Sequence, residues 1–147
     1  MAHADCTDFN TEIEAPAEEA FAAIKDFRAW PSWTRAIKGT WSRSEGPWRE
    51  GFKFGMKTMV SRLPIPLTVI EVQENRRVAW TARSLLVRIT HRMDFEPLGP
   101  SRWTVRNHEY AEGLLGGPVG RLLAKPIDRL DRQWAADLAA HLATGGR

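Results

Sequence analysis

The sequence predicts an α+β fold: one antiparallel sheet, a long C-terminal helix, and two short helices after the first strand. Three observations carry this. Residues 87–96, VRITHRMDFE, alternate apolar and polar side chains at the strand period. From Pro118 to Ala143, apolar residues recur three or four apart, as on one face of a helix. Between the opening segment and that helix, short strand-like runs alternate with short turns, leaving no room for the helical crossovers of a parallel sheet.

Phe9, Thr11 and Ile13 alternate with Asn10, Glu12 and Glu14, which gives a first half-buried strand, with residues 1–8 as a tail. Pro16 suits the start of a helix because it needs no N–H partner there. Glu18 and Glu19 fall in the first turn, where the helix dipole favours negative charge. Phe21, Ile24 and Phe27 follow at helical spacing, and Trp30-Pro31 reads as the stop. Ser32 then caps a second short helix, WTRAIKG, closed by Gly39.

The middle reads as β throughout. TWSRS precedes the loop EGPWREG. Phe52, Phe54, Met56 and Thr58 alternate with Lys53, Gly55 and Lys57. LPIP breaks the chain, LTVIEV and VAWTAR follow about the turn ENRR, and PLGPS joins the 87–96 strand to WTVRNHEY. In the last helix the stripe is Val119, Leu123, Ile127, Leu130, Trp134, Leu138 and Leu142, with Pro126 expected to kink or break it. Residues 1–147 form a single domain.

Bulk properties narrow the functional classes. The net charge is +3, and the basic residues are scattered without interleaved aromatics, so no nucleic-acid groove is expected. The mildly basic surface allows weak contact with an anionic membrane. Cys6 stands alone, which excludes an internal disulfide and a cysteine-based zinc site. Its isolation fits a reducing, cytoplasmic setting. No N-terminal secretory pattern and no bilayer-length apolar run is present. Seven tryptophans against one tyrosine point to an aromatic-rich core or cavity.

The order of elements, together with IEAPAEEAF…DF…WPSW and EGLLGGPVGRLLAKP, resembles the START-like helix-grip (SRPBCC) superfamily over about Phe9 to Leu142. Within it the similarity is greatest to the polyketide cyclase/dehydrase and lipid-transport branch. The resemblance implies a curved sheet wrapped around the long helix, with an apolar cavity between them. It implies a lipid, quinone or polyketide-like ligand and no shared catalytic residue set. No cofactor is expected.

Alternation assigns the inward face independently. Phe52, Phe54 and Met56 point toward the helix, as do Trp80, Val87, Ile89, Met93 and Phe95. Trp103 and Val105 join them from the next strand. Leu122, Leu123 and Ile127 face them from the helix, and Leu114 and Leu115 complete an apolar lip. Three polar residues share that face: His91, Asn107 and Glu109. If the 198 or 200 pairing sum holds across the PLGPS turn, His91 lies opposite Asn107 or Glu109. Buried, they need partners or a wet cavity.

Three readings follow. The chain binds an apolar or amphipathic small molecule, with the trio holding its polar end. It is a cyclase or dehydratase in which Glu109 orients His91 for proton transfer. It is a protein–protein regulatory module. One histidine and one carboxylate fall short of three protein ligands, so no metal site is expected. The glycine-rich segment Glu112–Gly120 reads as a flexible lead that gates the cavity.

Overall fold

The computed structural model describes residues 2–145. Seven strands form one sheet in the order β1-β7-β6-β5-β4-β3-β2. They are β1 (Ala2–Ile13), β2 (Ile37–Ser42), β3 (Lys53–Thr58), β4 (Ile65–Gln73), β5 (Arg77–Arg83), β6 (Arg88–Gly99) and β7 (Arg102–Gly113). All neighbours pair antiparallel, so β2 to β7 form a meander and β1 closes onto β7. Helices α1 (Ala17–Lys25) and α2 (Trp30–Trp33) connect the two edge strands, and α3 (Gly116–Ala143) covers the inward face. At 1.5 Å per residue its 28 residues span about 42 Å. This is the α+β helix-grip arrangement.

The opening strand is longer than alternation suggests. Ala2–Asp8, expected as tail, pair with β7 from Gly113 onward. Met1 lies outside the described residues. A register shift between Asp5 and Thr7 breaks the period, so Cys6 and Thr7 are both buried and the pattern disappears from the sequence.

The helical entry also differs. Pro16 is the cap of α1, which ends at Lys25, and Phe27–Ala29 make a 3-10 turn. Trp30-Pro31 begins α2 rather than ending α1, because Pro31 falls in a first turn where its missing N–H costs nothing. WTRAIKG is not a helix. Thr34 is extended, its hydroxyl donates to Asp137 Oδ2 at 2.7 Å and accepts from the Ala36 N–H at 3.0 Å, and Ile37 starts β2. Burial of Ile37 on the sheet outweighs the local helical pattern.

Pro126 does not end α3, which is assigned as one helix. Nor is GGPVG a loose lead: Gly116, Gly117 and Gly120 are helical and buried. A Cβ at Gly120 would meet the Ala4 Cβ at 2.8 Å and the Ala111 Cβ at 3.0 Å. Glycine therefore lets α3 lie directly on β1 and β7. Gly113, at φ +108°, makes the turn out of β7 that a side chain would strain.

The core occupies the half of the interior distal to that glycine contact. Phe27, Trp30, Trp48, Phe52, Phe54 and Trp134 are buried together, with Phe27–Phe54 and Trp48–Phe54 centroids 5.1 Å apart. Trp30 packs edge-on against Trp134 of α3 at 5.4 Å, and its indole N–H donates to the carbonyls of Ala23 and Ile24 at 3.2 Å. Trp33 is half-buried, stacked on His141.

Candidate functional site

In the other half α3 rests on β1 and β7 but stands away from β3, β4 and β5, and a cavity of about 260 Å³ lies between them. It is walled by Met56 of β3, Ile65 and Leu67 of β4, Trp80 and Ala82 of β5, Ile89 of β6, and Leu123, Pro126, Ile127 and Leu130 of α3. Val60 and Ser61 of the β3–β4 loop stand at its side. Its volume is just under the ~300–1,000 Å³ usual for ligand pockets, which suits a compact molecule.

Seven of the sequence-predicted positions line this space: Met56, Trp80, Ile89, His91, Glu109, Leu123 and Ile127. Phe52, Phe54, Met93, Phe95, Trp103, Val105 and Asn107 do not. They share the inward face, but the aromatic cluster and α1 fill the space above most of them. Phe95, for instance, packs edge-on against Phe21. Leu122 is 78% exposed and points outward, and Leu114 and Leu115 are exposed too, so the expected lip is formed by Leu123 alone.

The cavity's polar end is a cluster of three titratable side chains. His91 pairs directly with Glu109 across β6 and β7, the register whose sum is 200. His91 Nδ1 lies 3.5 Å from Glu109 Oε1, and Nε2 lies 3.0 Å from Asn107 Oδ1. With the amide oriented so, Nε2–H donates to Asn107 Oδ1 and Nδ1 faces Glu109. The His91 ring also meets Trp80 edge-on at 4.9 Å.

Asp131 of α3 is the third member, and the sequence reading missed it. Donor atoms of His91, Glu109 and Asp131 all lie within 4.8 Å of one another. Asp131 is 3% exposed, and its Oδ2 has no hydrogen-bond partner, as is true of Asn107 Nδ2 and Trp134 Nε1. The signal was present: Ile127, Asp131, Trp134 and Leu138 follow one helical stripe, so a carboxylate occupies a core position.

Electrostatics set the protonation. Burial first, then the negative charge and hydrogen bonding of Asp131, push Glu109 well above the ordinary carboxylate range, with His91 opposing. Burial pushes Asp131 to about 7, moderated by the hydrogen bond with Glu109. Glu109 is thus the acid that holds its proton and donates toward Asp131. No lysine or arginine lines the cavity to offset the pair. His91, Glu109 and Asp131 supply the three protein donors that the sequence count lacked, so a divalent cation could replace those protons. Cys6 is buried, donates to the Gly120 carbonyl at 3.7 Å, and has its thiol pushed up to about 11 by burial, which makes it structural.

A polar cleft of about 460 Å³ lies on the outer face of the sheet. Three of its four arginines are engaged in ion pairs, Arg77 and Arg92 with Asp94 and Arg106 with Asp8, so it forms part of a charged surface network.

A sequence model of polyketide cyclase / dehydrase and lipid transport proteins matches residues 7–143. The chain belongs to the polyketide cyclase/dehydrase and lipid transport family. This polyketide cyclase/dehydrase-family chain has no match among curated proteins. It is similar to a START superfamily protein from Mycobacterium smegmatis, at 19% identity and TM-score 0.68, over 90% of this chain and 95% of that one. It is similar to the Zhui aromatase/cyclase from Streptomyces sp. R1128, at 11% identity and TM-score 0.76, over 99% and 96%. Norcoclaurine synthase from Thalictrum flavum, solved with dopamine and hydroxybenzaldehyde, is 12% identical with TM-score 0.71, over 99% and 89%. At these identities the likeness establishes the helix-grip fold and nothing finer. Among the described residues no helix is long and apolar enough to cross a membrane.

Proposed function

We propose that this chain binds a compact, mainly apolar small molecule in the cavity between the sheet and α3, with the ligand's one polar group against Glu109, Asp131 and His91. The observation that carries this reading is the three-member titratable cluster in a space whose other walls, apart from the hydroxyls of Thr58 and Ser61, are apolar. A protonated Glu109 offers a hydrogen bond to a neutral oxygen such as a carbonyl or a phenol. A ligand carboxylate would bring a third buried negative group and is disfavoured. Quinone- or polyketide-like molecules fit both demands, and free fatty acids do not. Native mass spectrometry of freshly purified protein should find such a molecule bound. A calorimetric titration should saturate with a small hydroxyquinone, and Ala82→Trp, which fills the cavity, should abolish the response. Saturation that survives in Ala82→Trp places the ligand elsewhere and sinks the reading.

The second reading is acid–base catalysis on the bound molecule. It is favoured by a specific observation: an acid and a carboxylate flank one ring nitrogen of His91 within 4.8 Å. His91 would take a proton from carbon next to a ligand carbonyl while Glu109 donates to the carbonyl oxygen. Two of the fold's neighbours are enzymes by name, an aromatase/cyclase and a synthase. Turnover of a polyketide-like ketone that is lost in both His91→Ala and Glu109→Gln, with binding retained, would select catalysis over binding alone.

A further inference from the structure

Eight large apolar side chains are exposed among the described residues, and six of them lie at one end of the fold. Leu63 is in the β3–β4 loop, Leu85 and Leu86 are in the β5–β6 loop, Leu114 and Leu115 join β7 to α3, and Leu122 is near the start of α3. Antiparallel pairing gathers these segments: β3, β5 and β7 finish at this end, where β4, β6 and α3 begin. The Leu115 N–H donates to the Leu86 carbonyl at 3.1 Å, tying two of the loops together.

The cavity lies at the same end. Val60, Ser61 and Pro126 line both the cavity and a surface cleft beside it. That cleft carries Lys38, Lys57, Arg62 and Arg129 and no carboxylate. Arg83, Arg121 and Lys125 add three more exposed cations. None of the seven is paired with a carboxylate among the described residues. The nearby acids are engaged: Glu112 with Arg88 at 3.1 Å, and Asp128 with Arg132 at 2.9 Å.

We propose that this end docks on an anionic lipid bilayer and turns the cavity toward the lipid. Leu85, Leu86 and Leu114 border a small cleft of about 220 Å³, but the leucines as a set project from separate segments: Leu63, Leu85 and Leu122 are 76%, 97% and 78% exposed. A bilayer interface accepts apolar side chains from separate loops one by one, whereas a protein partner must match their relief. Unpaired cations around them meet lipid phosphates at headgroup depth. The small-molecule reading of the cavity supplies the purpose, since an apolar ligand would then pass between lipid and protein without crossing water. Bilayer binding is measured without any cavity ligand, so the two readings fail separately.

The test is co-sedimentation of the full chain with vesicles of phosphatidylcholine plus phosphatidylglycerol, and of phosphatidylcholine alone, at low and high salt. Binding is expected to the anionic vesicles and to weaken with salt. Leu85→Asp and Leu122→Asp should each lower the partition coefficient by about tenfold. Arg62→Gln and Arg129→Gln should each lower it by about fivefold. Leu98→Asp, at the opposite end, should leave it unchanged, and unchanged unfolding midpoints show that the variants are folded. Absence of binding to anionic vesicles, equal binding to neutral ones, or wild-type partition by Leu85→Asp and Leu122→Asp would overturn the proposal. So would a complex with an acidic protein that forms through these leucines while vesicles stay unbound.

Discussion

Replacing Asp131 by asparagine isolates the electrostatic cost of the buried cluster. The amide keeps the shape and can still accept the Glu109 proton, but it cannot ionise. In the folded chain burial moves Asp131 from 3.8 to about 7. Between those values the folded state holds a proton that the unfolded state has released. The wild type therefore loses stability as pH rises through this window, and the loss is complete once pH exceeds the folded value. At about 1.4 kcal/mol per pH unit the full cost is about 4 kcal/mol. Titration coupled to Glu109 and water entering the cavity reduce the observable part to about 2–4 kcal/mol. Glu109 adds a loss of the same sign starting from its ordinary value of 4.5. The surface carboxylates Asp5, Asp8, Asp94 and Asp128 are shifted down, so their effect is confined to pH below 3.8 and has the opposite sign. Urea unfolding of wild type and Asp131→Asn across a pH series measures the difference directly. The variant should gain on the wild type from pH 3.8 to about 7 and hold its advantage at alkaline pH. Parallel curves over that window would show that Asp131 is ionised and solvated in the fold, and the account of the site would be wrong.

Trp30→Ala should destabilise the chain by about 3–5 kcal/mol, the range for a buried large aromatic, and a loss below about 1 kcal/mol in urea unfolding would contradict its place at the centre of the aromatic cluster. Gly120→Val should cost at least about 1–3 kcal/mol, because the added carbons drive α3 away from Ala4 and Ala111, and an unchanged unfolding midpoint would show that the helix has room to move. Glu109→Gln should keep binding of a carbonyl ligand within about threefold, since the amide also donates, whereas Glu109→Leu should weaken it about tenfold or more. Equal binding by both variants in the calorimetric titration would remove Glu109 from the ligand contact.

The sequence by itself determined the class of fold, the order of its elements and the inward face of the central strands. Period-2 alternation in β6 and β7 is a property of a few neighbouring residues, and burial of one face enforces it. The same reasoning placed His91 opposite Asn107 or Glu109 before any coordinates, and the register is His91 to Glu109. The helical stripe of α3 was equally legible, as was the need for it to cover the sheet. Local pattern misled where tertiary burial competed with it. The bulge at Cys6 erased the alternation of Ala2–Asp8, and the pull of Ile37 into the sheet overrode a helical stretch after Trp33.

The tertiary structure alone decided where the interior is filled and where it is empty. The inward residues of β3, β6 and β7 look alike in sequence. Phe54 and Met93 lie under the aromatic cluster, whereas Met56 and Ile89 line the cavity, because Trp30, Trp48 and Trp134 converge from three distant segments on one half of the sheet. It alone brought Asp131 beside Glu109, a meeting of residues on a strand and a helix that depends on the close seat of α3 at Gly120. Side-chain periodicity reports which face a residue takes. It carries no information on how far away the opposite wall stands, and that distance separates a core from a binding site.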